Sequence, residues 1–320
     1  MNRPNISNLS DENGILRFTL SDINVSLANA LRRIILSEIP TIVFRTTPHD
    51  KNKSTIFTNT SRLNNELIKQ RLSCIPIHIS DTDFPYKDYI VQINVKNDTN
   101  IIKYVTTKDF KIKNIKNDTY LSEAQTREIF PPDFISGDYI NFVRLRPQLS
   151  DTIPGEELNM ECLFDIGTAK QDSAFNIVST CAYGYTPDAV KINEVWTEKA
   201  REMKSNGMNN EEIEYSRKDW LLLEAKRYYK QDSFDFTIES VGQFKNISII
   251  QKAANIMKQK LKTFSSVLQS NISIITPSDT TIENSYDIKL ENEDYTLGKV
   301  LEFILYQKHF NRNETSGSDN

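Results

Sequence analysis

A strand, a polar turn and an amphipathic helix occur twice in this chain, and that repetition constrains the fold more than any single motif. In the first copy ILRFTL alternates as a strand, and residues 25 to 38 follow as a helix. Leu27, Ala30, Leu31, Ile34 and Ile35 recur at three-and-four spacing on a stripe that reaches Glu38, while Asn29, Arg32, Arg33 and Ser37 fall off it. Ser26 is the expected N-cap because its hydroxyl can accept from a free backbone N–H, and Pro40 stops the helix. The second copy is DIKLENEDYTLGKVLEFILYQ at 287 to 307. A shift of 270 residues carries Ser26 to Thr296, Leu27 to Leu297, Ala28 to Gly298, Leu31 to Leu301 and Ile34 to Ile304, with Leu20 carried to Leu290. Two unrelated amphipathic helices share a stripe by chance; strand, turn, cap and small residue together are harder to match.

Between the copies, positions 84 to 190 read as strands separated by Asn, Asp, Pro and Gly turns: YIVQINV, IIKYVTT, NFVRLRP, ELNMECLFDI and AFNIVSTCAYGY. Residues 191 to 231 change to a charged helical pair broken at Ser205-Asn206-Gly207, whose plain reading is a solvated hairpin. FDFTIESVG returns to strand. Ile249, Ile250, Ala253, Ile256, Met257, Leu261, Phe264 and Leu268 then mark a long helix with one apolar face, which serves either as core or as a seam for a partner helix.

Length and charge narrow the function. The 320 residues suggest two domains of about 150 residues each. A formal charge of -4 disfavours a standalone nucleic-acid-binding protein, which needs a cationic surface. The 9 glycines form neither a GxGxxG nor a GxxxxGK[ST] loop. Cys74, Cys162 and Cys181 are too scattered for a disulfide scaffold and suit a reducing compartment. A polar start without an apolar core, and the lack of any long apolar run, point to an intracellular protein with no membrane span.

A cysteine-dependent enzyme using Cys74 and His78 is the rival of another class. In an extended CIPIHIS segment the two positions share a face but sit ~13 Å apart, beyond the hydrogen-bond reach a nucleophile and its base need. His49, His78 and His309 spell out no three-ligand metal site, and Glu156-Glu157 reads as a solvated pair. Arg32 and Arg33 are better candidates, either as interface donors to carboxylates and carbonyls or as charges that keep the helix soluble.

SLANALRRIILSEIPT, NELIKQRLSCIPI, YVTTKDFKI, GEELNMECLFDIGTAK and FDFTIESVGQF occur in one order along the chain. They resemble, in that order, the landmarks of the RNA polymerase alpha amino-terminal domain and its archaeal D-type and eukaryotic third-largest-subunit counterparts. NEDYTLGKVLEFIL resembles the L-type (eleventh-subunit) partner. The resemblance implies an α+β fold: a discontinuous dimerisation domain at 1–83 with 231–270, an inserted β-rich domain at 84–230 with a helical excursion at 191–230, a partial L-type segment at 271–310 and a polar tail at 311–320.

It further implies a non-catalytic assembly subunit of a multisubunit DNA-dependent RNA polymerase. Asn29, Arg32 and Arg33 would dock the second-largest subunit. Leu27, Leu31, Ile34, Ile249, Ala253, Ile256, Met257, Leu261, Phe264, Leu297, Leu301 and Ile304 would form the dimerisation face. Gly298, like Ala28, would let backbones approach closely. The implied partners are the two largest subunits, small zinc-bearing subunits and an internal or separate L-type half, without sequence-specific DNA binding. Fusion of D-type and L-type parts resembles the polymerases of large DNA viruses, which would place the chain in host cytoplasm or nucleus and in the virion. The four-cysteine cluster of many relatives is absent, so no metal or other cofactor is expected, and Asp172 stands where the family's Gly-x-Ala-Lys-x-His pattern has histidine.

Overall fold

Backbone pairing draws strands from distant parts of the chain into two main sheets. The computed structural model describes residues 3–81, 83–148, 150, 152–270 and 274–310. In chain order the elements are β1 (Asn5–Glu12), β2 (Ile15–Ser21), α1 (Val25–Ser37), β3 (Thr41–Phe44), β4 (Ser54–Asn59), α2 (Asn65–Ser73), β5 (Tyr89–Lys96), β6 (Lys103–Thr106), β7 (Lys111–Asn114) and β8 (Thr119–Tyr120). There follow α3 (Glu123–Ile129), β9 (Asn141–Leu145), β10 (Glu157–Gly167), β11 (Val178–Pro187), α4 (Ala189–Ser205), α5 (Asn210–Leu222), β12 (Tyr229–Ser240), α6 (Asn246–Ser270), β13 (Ile275–Pro277), β14 (Tyr286–Ile288) and α7 (Tyr295–Leu305). The class is α+β. The described residues cluster into two units, one drawn from those within 3–34, 180–239, 257–270 and 274–310, the other from those within 35–179 and 240–256.

In the first unit the sheet order is β1-β2-β12-β11. Asn13 and Gly14 both adopt positive φ, 53° and 78°, and Glu12 lies opposite Ile15. This is a two-residue mirror-image turn whose twist matches that of the strands it joins. Leu16, Phe18 and Leu20 of β2 lie opposite Ile238, Phe236 and Phe234 of β12, and all six are buried. Phe18 stacks on Phe236 at 5.1 Å between centroids, and Tyr183 of β11 meets Phe234 edge-on at 5.3 Å. Alternation in both strands thus puts one apolar face together across roughly 200 residues of intervening chain. The charged hairpin α4–α5 closes on Trp196 and Trp220, 5.4 Å apart, and turns through Gly207 at φ 85°.

In the second unit the order is β3-β10-β5-β7-β8, with β4 also on β10. At 11 residues, β10 is long enough to pair with β5 along one edge and with β4 and then β3 along the other. Phe44 stacks on Phe164 at 5.4 Å and on Phe130 at 6.2 Å, while Phe110 meets Phe130 and Phe142 edge-on. Asn64 caps α2 by accepting from the Leu67 amide, which leaves Ile68 and Leu72 to bury their side chains in the same core. Ile75, Ile77 and Ile79 then alternate inward along an extended segment.

The strand pairing displaces the boundaries expected at 84 and 230. β3, β4 and α2, placed with the first domain by sequence, contribute to the six-stranded sheet and its core. β11 and α4–α5, placed inside the insertion, fall in the first unit apart from the first two residues of β11. Alternation identifies a strand but not its sheet, and the partner that claims β4 lies about 100 residues further on. The stretch 84 to 190 is also not all strand, since a Ser122–Gln125 capping box starts α3. The expected polar tail, 311–320, lies outside the described residues.

Candidate functional site

The two copies can be compared atom by atom at their helix starts. Asn24 Oδ1 accepts from the Ser26 amide at 2.8 Å, and Asp294 Oδ1 accepts from the Thr296 amide at 2.8 Å. The Ala28 amide donates to Asn24 O and the Gly298 amide to Asp294 O, at 3.1 and 3.2 Å. The caps are therefore Asn24 and Asp294, two residues before the expected Ser26 and Thr296, and they are related by the same shift of 270 residues. Each helix is also preceded by a hairpin, β1–β2 in one copy and β13–β14 in the other. The strand ahead of ILRFTL, β1, was not expected; the Asn13-Gly14 pair is the signal that reveals it.

Arg33 joins the copies inside the first unit. Its Nε donates to Thr296 Oγ1 at 2.7 Å and its Nη2 to Asp294 Oδ2 at 3.0 Å, so the guanidinium rests on the capped start of α7. Burial alone would raise the Asp294 carboxyl. Hydrogen bonds from the Thr296 hydroxyl and amide and from Arg33 outweigh it and hold the group down at about 2. A depressed carboxyl stabilises above its unfolded value, near 3.8, and the contribution is lost as pH falls through about 2. Arg33→Ala should weaken amide-exchange protection of α7 by about 3- to 10-fold with little change elsewhere, the scale of a half-exposed ion pair plus a disturbed cap. Unchanged α7 protection in that variant would show that the contact does not hold the helix.

Asn29 and Arg32 form a local pair, with Arg32 Nε and Nη2 both donating to Asn29 Oδ1 at 3.2 and 2.9 Å. Both residues are half-buried. The three expected docking residues thus separate into a self-paired Asn29–Arg32 element and an Arg33 engaged within the chain.

Along the expected dimerisation face, Ile34, Ile249, Ala253 and Leu297 are buried. Leu27, Leu31, Ile256, Met257, Leu261, Phe264, Leu301 and Ile304 are half-buried. Within the first unit, Lys260 of α6 pairs with Glu293 at 2.7 Å. Phe264, Val267 and Leu297 help line a cavity of about 580 Å³ bordered by the β13–β14 hairpin. The stripe of α6 is covered at its start and open toward its end, where Val267 is 40% exposed. Gly298 departs from expectation, because among the described residues a Cβ built there would meet no atom beyond its own helix within 4 Å.

Cys74 follows the last turn of α2 and is exposed, and His78 lies in the extended segment beyond it with its ring against Gly242. Burial lowers the His78 pKa and raises those of Cys162 and Cys181, the latter to about 12, so the two buried thiols stay protonated near neutral pH. Among the described residues no cluster of His, Cys, Asp and Glu is arranged to hold a metal ion, and no helix is long and apolar enough to cross a membrane.

The chain thus carries two hairpin–helix copies and a long helix with a half-open apolar face. The family model of the RNA polymerase Rpb3/Rpb11 dimerisation domain matches residues 17–261, and the chain belongs to that family. It is similar to subunit RPAC1 of human DNA-directed RNA polymerases I and III, 25% identical over 79% of this chain and 81% of the relative. It is also similar to subunit rpb3 of Dictyostelium discoideum DNA-directed RNA polymerase II, 24% identical over 81% and 93%. A Tetrahymena thermophila protein named conjugation stage-specific is 25% identical over 79% and 91%. The second copy, 287 to 307, lies beyond the residues matched by the family model.

Proposed function

We propose that this chain is a non-catalytic assembly subunit of a multisubunit DNA-dependent RNA polymerase. Membership of the Rpb3/Rpb11 dimerisation family carries the reading. The half-open stripe of α6 supports it, since Met257, Leu261 and Phe264 are placed for a partner helix and are only partly covered by the chain itself. An L-type half is the partner that fits, and α7 with its hairpin resembles the beginning of one. The exposed β13–β14 residues leave room for further strands from a second polypeptide or a second copy.

The Asn29–Arg32 pair is the docking element for the second-largest subunit, and Arg33 serves the joint to α7 instead. The largest subunit and small zinc-bearing subunits complete the assembly inside the cell, and nucleotide chemistry belongs to the large subunits. The relatives named above are from cellular organisms, so a viral source rests on the fused arrangement alone.

The test replaces the chain in its native cells with tagged Asn29→Ala/Arg32→Ala. Truncating a hydrogen-bonded charge at an interface costs roughly 2–5 kcal/mol. The large subunits should be lost from the purified complex while the L-type partner stays. Retention of the large subunits at wild-type stoichiometry would remove the docking role.

A further inference from the structure

Four arginines of the second unit, Arg62, Arg71, Arg144 and Arg146, converge on one cavity of about 220 Å³ whose walls include Leu63 and Phe142. Against a chain of net charge -4 this is a local reversal of sign. Two of the four are committed. Arg71 donates through Nε to Phe142 O at 2.7 Å and through Nη2 to Asn141 O at 2.8 Å, and Arg146 pairs with the buried Glu156 carboxylate. Those bonds fix one strand edge and offset one of the charges. Arg62 and Arg144 are exposed, and their guanidinium groups make no hydrogen bond or ion pair to a described residue.

We propose that this pocket receives one or two carboxylate side chains from an acidic segment of a partner protein. A planar guanidinium presents parallel N–H donors at the spacing of carboxylate oxygens, and a concave site gathers several such forks around one anion. The apolar walls suit the methylene stem of a glutamate. Recognition runs through side chains rather than strand addition, because the Asn141 and Phe142 carbonyls are already occupied by Arg71. A nucleic-acid strand fits less well, since it needs a cationic track over successive phosphates, and here the arginines are confined to one hollow on an acidic chain. The site stands on the second unit alone, apart from the assembly reading.

The test measures fluorescence anisotropy of a labelled hexaglutamate peptide with the full chain at about 50 mM salt, beside a single-stranded oligonucleotide of equal charge. Saturable peptide binding should weaken about tenfold or more in Arg62→Ala/Arg144→Ala, with an unchanged melting temperature. Arg62→Lys/Arg144→Lys, which keeps charge without the fork, should fall between. Absence of peptide binding by the wild-type chain, equal binding by the alanine variant, or tighter binding of the oligonucleotide would overturn the proposal.

Discussion

Replacing Arg45 with alanine should destabilise the second unit by roughly 3 kcal/mol, at the lower end of the 3–5 kcal/mol cost of breaking a buried pair. Arg45 is only 8% exposed. Its Nε donates to Asp165 Oδ2 at 2.6 Å, and its Nη2 donates to Ile166 O at 2.7 Å and Gln171 Oε1 at 3.0 Å. The guanidinium carbon lies 5.5 Å from the centre of the Phe175 ring. One side chain thus ties the end of β3 to the end of β10 and to the Gly167–Gln171 loop. Truncation strands a carboxylate and a carbonyl with reduced access to water; the partial exposure of Asp165, 26%, sets the effect toward the lower end. Lysine should not rescue, because it lacks the fork that serves three acceptors. Arg45→Met with Asp165→Leu should recover most of the loss, since removing both charges leaves nothing unpaired. Urea unfolding of the three variants decides the matter, and a loss below about 1 kcal/mol for Arg45→Ala would place the pair among ordinary surface bridges.

The largest effect on assembly should come from the open half of α6. Leu261→Asp with Phe264→Asp removes two apolar side chains from the stripe that a partner would cover and puts two charges in their place. Burying such a side chain contributes ~1.5–3 kcal/mol, so losing two should weaken pairing with an L-type partner at least ~100-fold. The isolated chain should melt within a few degrees of wild type, because both positions are already partly in water. Analytical ultracentrifugation of the co-expressed pair reads the first effect and calorimetry the second. Intact pairing, or collapse of the isolated fold, would assign the stripe to the chain's own core.

Local elements were the legible part of this sequence. The helix at 25 to 38, the break at 205 to 207 and the long α6 follow from three-and-four spacing and from Gly207, both of which depend on near neighbours. The repeat was legible because its offset is the same in cap and stripe, although Leu290, matched to Leu20 of β2, falls two residues past β14. Sheet membership was not, since β4 and β11 show the same alternation whichever sheet accepts them, and their partners lie far along the chain. The site was half legible. Arg32 and Arg33 stood out, but consecutive positions on a helix point about 100° apart, and only the fold shows that one turns to Asn29 and the other to Asp294. Arg45, Arg62 and Arg144 carry no pattern of their own; what gives them meaning is the set of side chains that pairing of β3, β9 and β10 brings around them.

The most direct test is to purify the tagged full chain from its native cells under mild salt, identify the co-purifying chains by mass spectrometry and assay the preparation for template-dependent RNA synthesis. Two large catalytic subunits should appear in one-to-one proportion with the tagged chain, and synthesis should disappear when those subunits are stripped away. Recovery of the chain free of any large polymerase subunit, or RNA synthesis by the stripped chain itself, would contradict the assembly role.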